Sequence, residues 1–98
     1  MNKYESVCIL AQELTDEKVA EMIVKIENKI REFSKAPIKV ENLGKKKLAY
    51  EIKNNTEGIY LDFYFKAKSE DIQELQRFYR ISEEIIKFIV IREDSNNE

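Results

Sequence analysis

At 98 residues, with 43% apolar residues, two glycines and one proline, the chain is sized for one domain with a real core, not for two domains or a loop-built fold. Seventeen lysines and arginines against nineteen acids leave a net charge of −2, so attraction to nucleic acid has to come from charge gathered on one face. With no histidine and a single cysteine, Cys8, the chain has no internal disulfide, no cysteine–histidine metal cluster and no ordinary general base.

The start of the chain shows no apolar stretch behind a basic segment, so no signal peptide is expected. No apolar run nears the roughly 20 residues of a membrane span, so a cytoplasmic setting without a membrane is expected. Tyr4 to Leu10 reads as a strand apolar on both faces, with Val7 and Ile9 on one and Tyr4, Cys8 and Leu10 on the other. Such strands are usually central and covered on both sides, and one cover here is expected to be a second protein. Cys8 reads as a small buried hydrophobe. Thr15 followed by Asp16 and Glu17 is a helix start. Val19, Ile23, Ile26, Ile30 and Phe33 then recur at steps of four and three, which predicts one helix to about Phe33.

Pro37 ends that helix region. Ile38 and Val40 open a second strand, whose alternation is interrupted at Asn42-Leu43-Gly44, the mark of a bulge. Three lysines, Lys45, Lys46 and Lys47, then run into the alternating segment Leu48 to Ile52, whose Leu48, Tyr50 and Ile52 are expected in the core. Asn54 to Gly58 is read as the turn and Ile59 to Phe65 as the return strand. There Ile59, Leu61, Phe63 and Phe65 share one face, and Tyr60, Asp62 and Tyr64 the other. Ser69 is expected to cap a second helix that buries Ile72, Leu75 and Tyr79 and ends near Arg80. Ile85 to Arg92 is the last strand, and Glu93 to Glu98 reads as a short disordered acidic tail, which leaves residues 1–92 as the domain.

The order β-α-β-β-α-β predicts an α+β, ferredoxin-like sandwich: one four-stranded antiparallel sheet with both helices on one face. Two helices cover one sheet face only. The other face carries Tyr60, Tyr64 and apolar residues of the first and last strands, such as Val7 and Ile9, which marks an interaction surface. The basic residues gather in two places, Lys39 to Lys53 and Arg77 to Arg92, both on expected edge elements. Charged edges deter unwanted sheet pairing, and they also suit phosphate contact. An enzyme ranks lowest, because only scattered carboxylates remain for chemistry, with no glycine-rich phosphate loop and no metal-ligand spacing. No cofactor and no metal are expected.

Three stretches carry a family resemblance across nearly the whole chain: Lys3-Tyr4-Glu5 before a hydrophobic strand, Gly44 to Ile52 with its basic residues before Leu-Ala-Tyr, and Gly58-Ile59-Tyr60. The end of the second helix, Tyr79-Arg80-Ile81, adds a weaker echo. In these the sequence resembles the bacterial small-subunit ribosomal protein six family. Glu51 stands where the family usually has proline, and lysines stand at its usual arginine pair, keeping charge but losing bidentate geometry. The resemblance implies a non-catalytic constituent of the small ribosomal subunit. It also implies binding to the central domain of small-subunit ribosomal RNA as a heterodimer with ribosomal protein eighteen, and a monomer when isolated. On that reading Lys3, Lys45, Lys46, Lys47, Arg80, Lys87 and Arg92 meet RNA, and Val7, Ile9, Tyr60 and Tyr64 meet the partner. Two other readings share the topology: an RNA-recognition module that stacks bases on Tyr60 and Tyr64, and a regulatory dimer that binds a metabolite. Asp62 between the tyrosines argues against the first, and the lack of a glycine-rich loop against the second.

Overall fold

The structure, a computed structural model, describes residues 1–93. Its elements run β1 (Asn2–Ala11), α1 (Asp16–Arg31), β2 (Lys39–Ile52), β3 (Asn55–Ala67), α2 (Ser69–Ile81) and β4 (Ile85–Glu93). The strands form one antiparallel sheet in the order β2-β3-β1-β4, so the first and third strands are central, as the ferredoxin-like order requires. Glu93 is the last residue of β4. The rest of the expected tail, residues 94–98, lies outside the described residues.

Helix α1 starts where the sequence places it. Thr15 is extended and its hydroxyl accepts the Lys18 amide at 3.1 Å, while Asp16 and Glu17 sit favourably at the positive end of the helix dipole. Val19, Met22, Ile26 and Ile30 are the stripe it buries. Helix α2 differs from expectation at its start: Lys68 occupies the cap position without a side-chain bond, and Ser69 is already helical. Leu75 and Tyr79 are its buried residues, with Ile72 and Phe78 packed at the margin.

Both helices cover the sheet face formed by Tyr4, Cys8 and Leu10 of β1 and by Ile59, Leu61, Phe63 and Phe65 of β3. The one polar pair in this core is satisfied internally: the Ser6 and Tyr79 hydroxyls share a buried hydrogen bond of 2.8 Å. Cys8 is fully buried beside them, and burial pushes its thiol up from 9.0 to about 12. Burial likewise pushes the Tyr79 hydroxyl well above its ordinary range. The unfolded chain releases these protons first, so between pH 9 and pH 12 the folded state holds more protons and stability falls as pH rises. Each group contributes at most about 1.4 kcal/mol per pH unit in its window. Melting temperature is therefore expected to be level up to about pH 9 and to drop above it. In Cys8→Ala the drop should begin about one unit later, where tyrosine takes over; an unchanged onset would remove the thiol from this account.

The hairpin between β2 and β3 departs most from the sequence reading. Its turn is the two-residue Lys53-Asn54, both with positive φ (47° and 67°), so β3 begins at Asn55 and not after Gly58. The expected bulge is present: Leu43 is the extra residue between the pairs Asn42–Leu61 and Gly44–Tyr60. Gly44 adopts φ 82° there, and its amide bonds the Asn42 side chain at 2.9 Å. A second, wider irregularity lies between the pairs Lys47–Glu57 and Ile52–Asn55, where residues 48–51 face Thr56 alone. The strand cannot stay flat there, and the end of the hairpin bends over the sheet face that the helices leave open. Leu48 then packs with Ile9, Ala11 and Ile86 in a second, smaller cluster. Tyr50, expected in the core, is 62% exposed, and Ile52 is half-buried at the margin of the small cluster.

Two features hold the bend. The buried Asn55 amide donates to the Ile52 and Lys53 carbonyls at 3.2 and 3.0 Å and accepts the Gln12 amide at 2.9 Å, which ties the turn to the end of β1. Gln12 in turn accepts the Glu57 amide at 3.0 Å. On the far side, the register shift between Ile9 and Leu10 in the β1–β4 pairing leaves Ile86 unpaired, and it joins Leu48 instead of the main core.

Candidate protein and nucleic-acid interface

Because residues directly opposite one another in a sheet share a face, the register lays out the open face as rows running from β2 to β4. One row reads Lys39, Tyr64, Glu5, Ile91; the next reads Glu41, Asp62, Val7, Ile89; the third reads Gly44, Tyr60, Ile9, Lys87. Beyond the first row Lys66, Lys3 and Glu93 are aligned, and beyond the third Lys46, Gly58 and Ala11. The face is thus divided. Its β1–β4 half carries an apolar strip, with Ile89 and Ile91 48% and 47% exposed beside the half-buried Val7, bounded by Glu5 on one side and Lys87 on the other. Its β2–β3 half alternates tyrosines, acids and lysines.

The four residues expected to meet a partner all lie on this face, but not equally within reach. Val7, Tyr60 and Tyr64 are half-buried, whereas Ile9 is 7% exposed beneath Leu48 and Ile86 and serves the protein's own small cluster. Ile89 and Ile91, on the same face of β4, supply more open apolar surface than Ile9 does.

Lysines sit over the tyrosine rings: Lys39 Nζ lies 5.5 Å from the Tyr64 ring centre and Lys46 Nζ 5.7 Å from that of Tyr60. At the bent hairpin, Lys87 Nζ donates to the Tyr50 hydroxyl at 2.9 Å and lies 5.3 Å from its ring. That hydrogen bond holds the Lys87 ammonium above its ordinary range. Tyr50 belongs to the edge strand β2 and Lys87 to the opposite edge β4, so the bond reaches across the sheet.

The seven basic residues expected to meet RNA do not form one patch. Lys3, Lys46 and Lys87 share the open face. Lys45 and Lys47 alternate to the other side of β2, where Lys45 borders a small cleft with Asp16 and Val19 at the start of α1. Arg80 lies on the outer surface of α2 near Arg77. Arg92 pairs opposite Tyr4, on the helix side of β4, and donates to the Asn2 side chain at 3.0 Å. Two lysines outside the expected RNA contacts join Lys3: Lys39, counted in the basic gathering, and Lys66 line with it a cleft of about 260 Å3 at the end of the sheet, together with Tyr4, Phe65 and the acid Glu93. The signal was present in the alternation of the three strands, but it emerges only once their register is known.

Comparison with known proteins settles the family. The model of the ribosomal protein S6 family matches residues 3–92. The chain belongs to the ribosomal protein S6 family. Among its relatives, small ribosomal subunit protein bS6 of Gloeobacter violaceus is 38% identical over 92 residues, spanning 94% of this chain and 96% of that protein. The bS6 protein of Carboxydothermus hydrogenoformans is 42% identical over 94 residues, spanning 96% and 98%. The crystal structure of 30S ribosomal protein S6 from Thermotoga maritima superposes with a TM-score of 0.87 at 38% identity, covering 94% of this chain and 87% of that one. S6 proteins are structural components of the small subunit, and this chain is not an enzyme. Among the described residues no helix is long and apolar enough to cross a membrane.

Proposed function

We propose that this S6-family chain binds the central domain of small-subunit ribosomal RNA jointly with ribosomal protein eighteen, contributing to subunit assembly in the cytoplasm, and is a monomer until it meets that partner. The observation that carries the reading is the divided open face. Val7, Ile89 and Ile91 offer an apolar strip that no element among the described residues covers, and lysines stand at its margins. Val7, Tyr60 and Tyr64 then contact the partner directly, while Ile9 supports them from beneath.

The RNA contacts in this proposal are Lys3, Lys45, Lys46, Lys47, Arg80, Lys87 and Arg92, extended by Lys39 and Lys66. Lys3, Lys39 and Lys66 around one cleft make the densest group. Among the described residues Lys87 bonds Tyr50 alone, which leaves two of its three donors for a phosphate. Cations on several surfaces and a net charge of −2 suit a protein that meets RNA along its rim while a basic partner supplies the remainder. Base stacking on the sheet is the less favoured reading, since Lys39 and Lys46 already occupy ring faces of Tyr64 and Tyr60.

The test is filter binding of a central-domain RNA fragment to the chain alone, and to the chain with purified ribosomal protein eighteen, across a salt gradient. Weak binding alone and tight, steeply salt-dependent binding of the pair are expected. Equal affinity with and without the partner refutes the proposal.

A further inference from the structure

At the end of the sheet, Lys3 on β1 stands directly opposite Lys66 on β3. Like charges in that position repel across a strand pair. Among the described residues neither ammonium makes an ion pair that would relieve them. Lys39 adds a third cation from the neighbouring row, held between Glu41 at 3.6 Å and the Tyr64 ring at 5.5 Å. Glu93, opposite Lys3 on β4, offsets part of this charge, so the cleft that they line carries three lysines against one acid. The rest of its lining is of another kind. Exposed Pro37 and half-buried Ile38 come from the segment that leads into β2, and Tyr4 and Phe65 from the central strands. The Tyr4 and Phe65 rings are buried and stacked with their centres 5.9 Å apart, so this wall is already fixed in the free chain. A bare phosphate has no use for an apolar wall, and a purely apolar ligand has no use for the lysines. A ligand with a planar apolar part and an anionic part uses both.

We propose that this cleft binds one unpaired nucleotide of the RNA, with its base against Pro37 and Ile38 and its phosphate between Lys3 and Lys66. This rests on the RNA-binding reading and deepens it, because the lysines then select a kind of RNA structure and do not merely attract the backbone. A volume of about 260 Å3 is smaller than the pockets that enclose drug-sized ligands and suits a single base with its sugar. A base inside a helix must first leave the stack, at a cost that is least where it is already unpaired. The cleft thus favours a bulge, loop or junction over a continuous duplex. Lys39 stays on the Tyr64 ring, so the base enters beside that ring and does not stack on the open face.

The site can be read without RNA or partner. The free chain is titrated with adenosine monophosphate, adenosine and inorganic phosphate at matched ionic strength, and its backbone amides are followed by NMR. Those of Ile38, Lys39, Phe65 and Lys66 should respond to the monophosphate at concentrations about 10-fold lower than to either fragment. Lys66→Glu should abolish that response. The substitution sets a carboxylate opposite Lys3, so the variant is expected to melt at the wild-type temperature or higher. Lys25→Glu, the same change on the exposed side of α1, should leave the response within about twofold of wild type. In a second arm, a hairpin with one bulged nucleotide should bind the chain about 10-fold more tightly than the same hairpin without the bulge, and Lys66→Glu should erase that preference. If the central-domain RNA fails to bind but both arms succeed, the ribosomal assignment falls and the cleft stands. A monophosphate no better than inorganic phosphate, or no better than adenosine, overturns the proposal, as does equal binding of the two hairpins. Monophosphate bound as tightly as the bulged hairpin would assign the cleft to a free nucleotide, and saturation of the same amides by ribosomal protein eighteen without RNA would assign it to the partner; either result overturns the RNA site.

Discussion

Replacing both Ile89 and Ile91 with aspartate is expected to weaken pairing with ribosomal protein eighteen by about 100-fold or more while leaving the fold intact. The two side chains are 48% and 47% exposed on the open face of the edge strand β4, so the free chain loses little when they become polar. In the docked state the same positions would lie under the partner, beside Val7 and Glu5 in the sheet rows. There the variant forfeits apolar burial and also desolvates two new carboxylates next to Glu5. Well-packed central residues of an interface commonly account for about 2 kcal/mol or more each on truncation, and a buried unpaired charge adds to that. The measurements are titration calorimetry of the pair and thermal melting of the free variant. A melting temperature within about 3 °C of wild type with pairing lost is the expected outcome, since 1 kcal/mol shifts a domain of this size by roughly 4–8 °C. Unchanged pairing would remove the β1–β4 half of the face from the interface. A collapse of the fold would show that the two isoleucines serve the core. RNA binding by the isolated chain should not change in either respect, which separates a docking strip from a stacking platform.

The sequence made the order of elements, the Thr15 cap, the α1 stripe and the Gly44 bulge legible because each rests on local chemistry: a hydroxyl before acids, a 3.6-residue period, a glycine where φ must be positive. β1 was legible as central because it is apolar on both faces. The hairpin end was not. Leu48, Tyr50 and Ile52 alternate perfectly, yet the strand they belong to gains three residues over its partner, and alternation carries no record of that. The clue lay elsewhere, in a residue with no side chain on β3 and an extra isoleucine on β4 that together make room for Leu48. The lysine run was similarly misleading about the site. Adjacent residues of a strand face opposite ways, so Lys45, Lys46 and Lys47 divide between two surfaces. Lys3, Lys39 and Lys66, far apart along the chain, converge on one cleft. Asp62 read as a phosphate-repelling surface acid; that it is buried between Tyr60 and Tyr64 follows only from packing.

Gly58→Val is expected to cost about 3 kcal/mol, which lowers the melting temperature by roughly 12–24 °C. The reason is space and not backbone conformation. A Cβ at this position would stand 2.3 Å from Ile9 Cγ2, with Leu48 Cδ2 at 3.4 Å and the Leu10 carbonyl oxygen at 3.5 Å. Ile9 Cγ2 is bonded to its own Cβ and moves only if the whole side chain rotates, and Ile9 sits on a central strand hydrogen-bonded on both sides. Valine then adds two more methyl groups toward Leu48. The side chain that has somewhere to go is Leu48, at the bent end of the hairpin, so the chain relieves the clash by lifting that end from the face. Leu48 leaves Ile9 and Ile86, and the Tyr50–Lys87 hydrogen bond breaks. Urea unfolding gives the stability, and amide exchange gives the location: residues 48–52 should exchange much faster, while the α1 amides, protected by the main core, change only as global stability falls. Gly58→Ala should show the same pattern at about half the cost. A valine variant as stable as wild type, with protected amides at 48–52, would show that the hairpin does not rest on the glycine. Lifting the hairpin also frees Lys87 and uncovers Ile9, so a valine variant that pairs more weakly with ribosomal protein eighteen would mean that the partner reads the folded-over hairpin as part of the docking face.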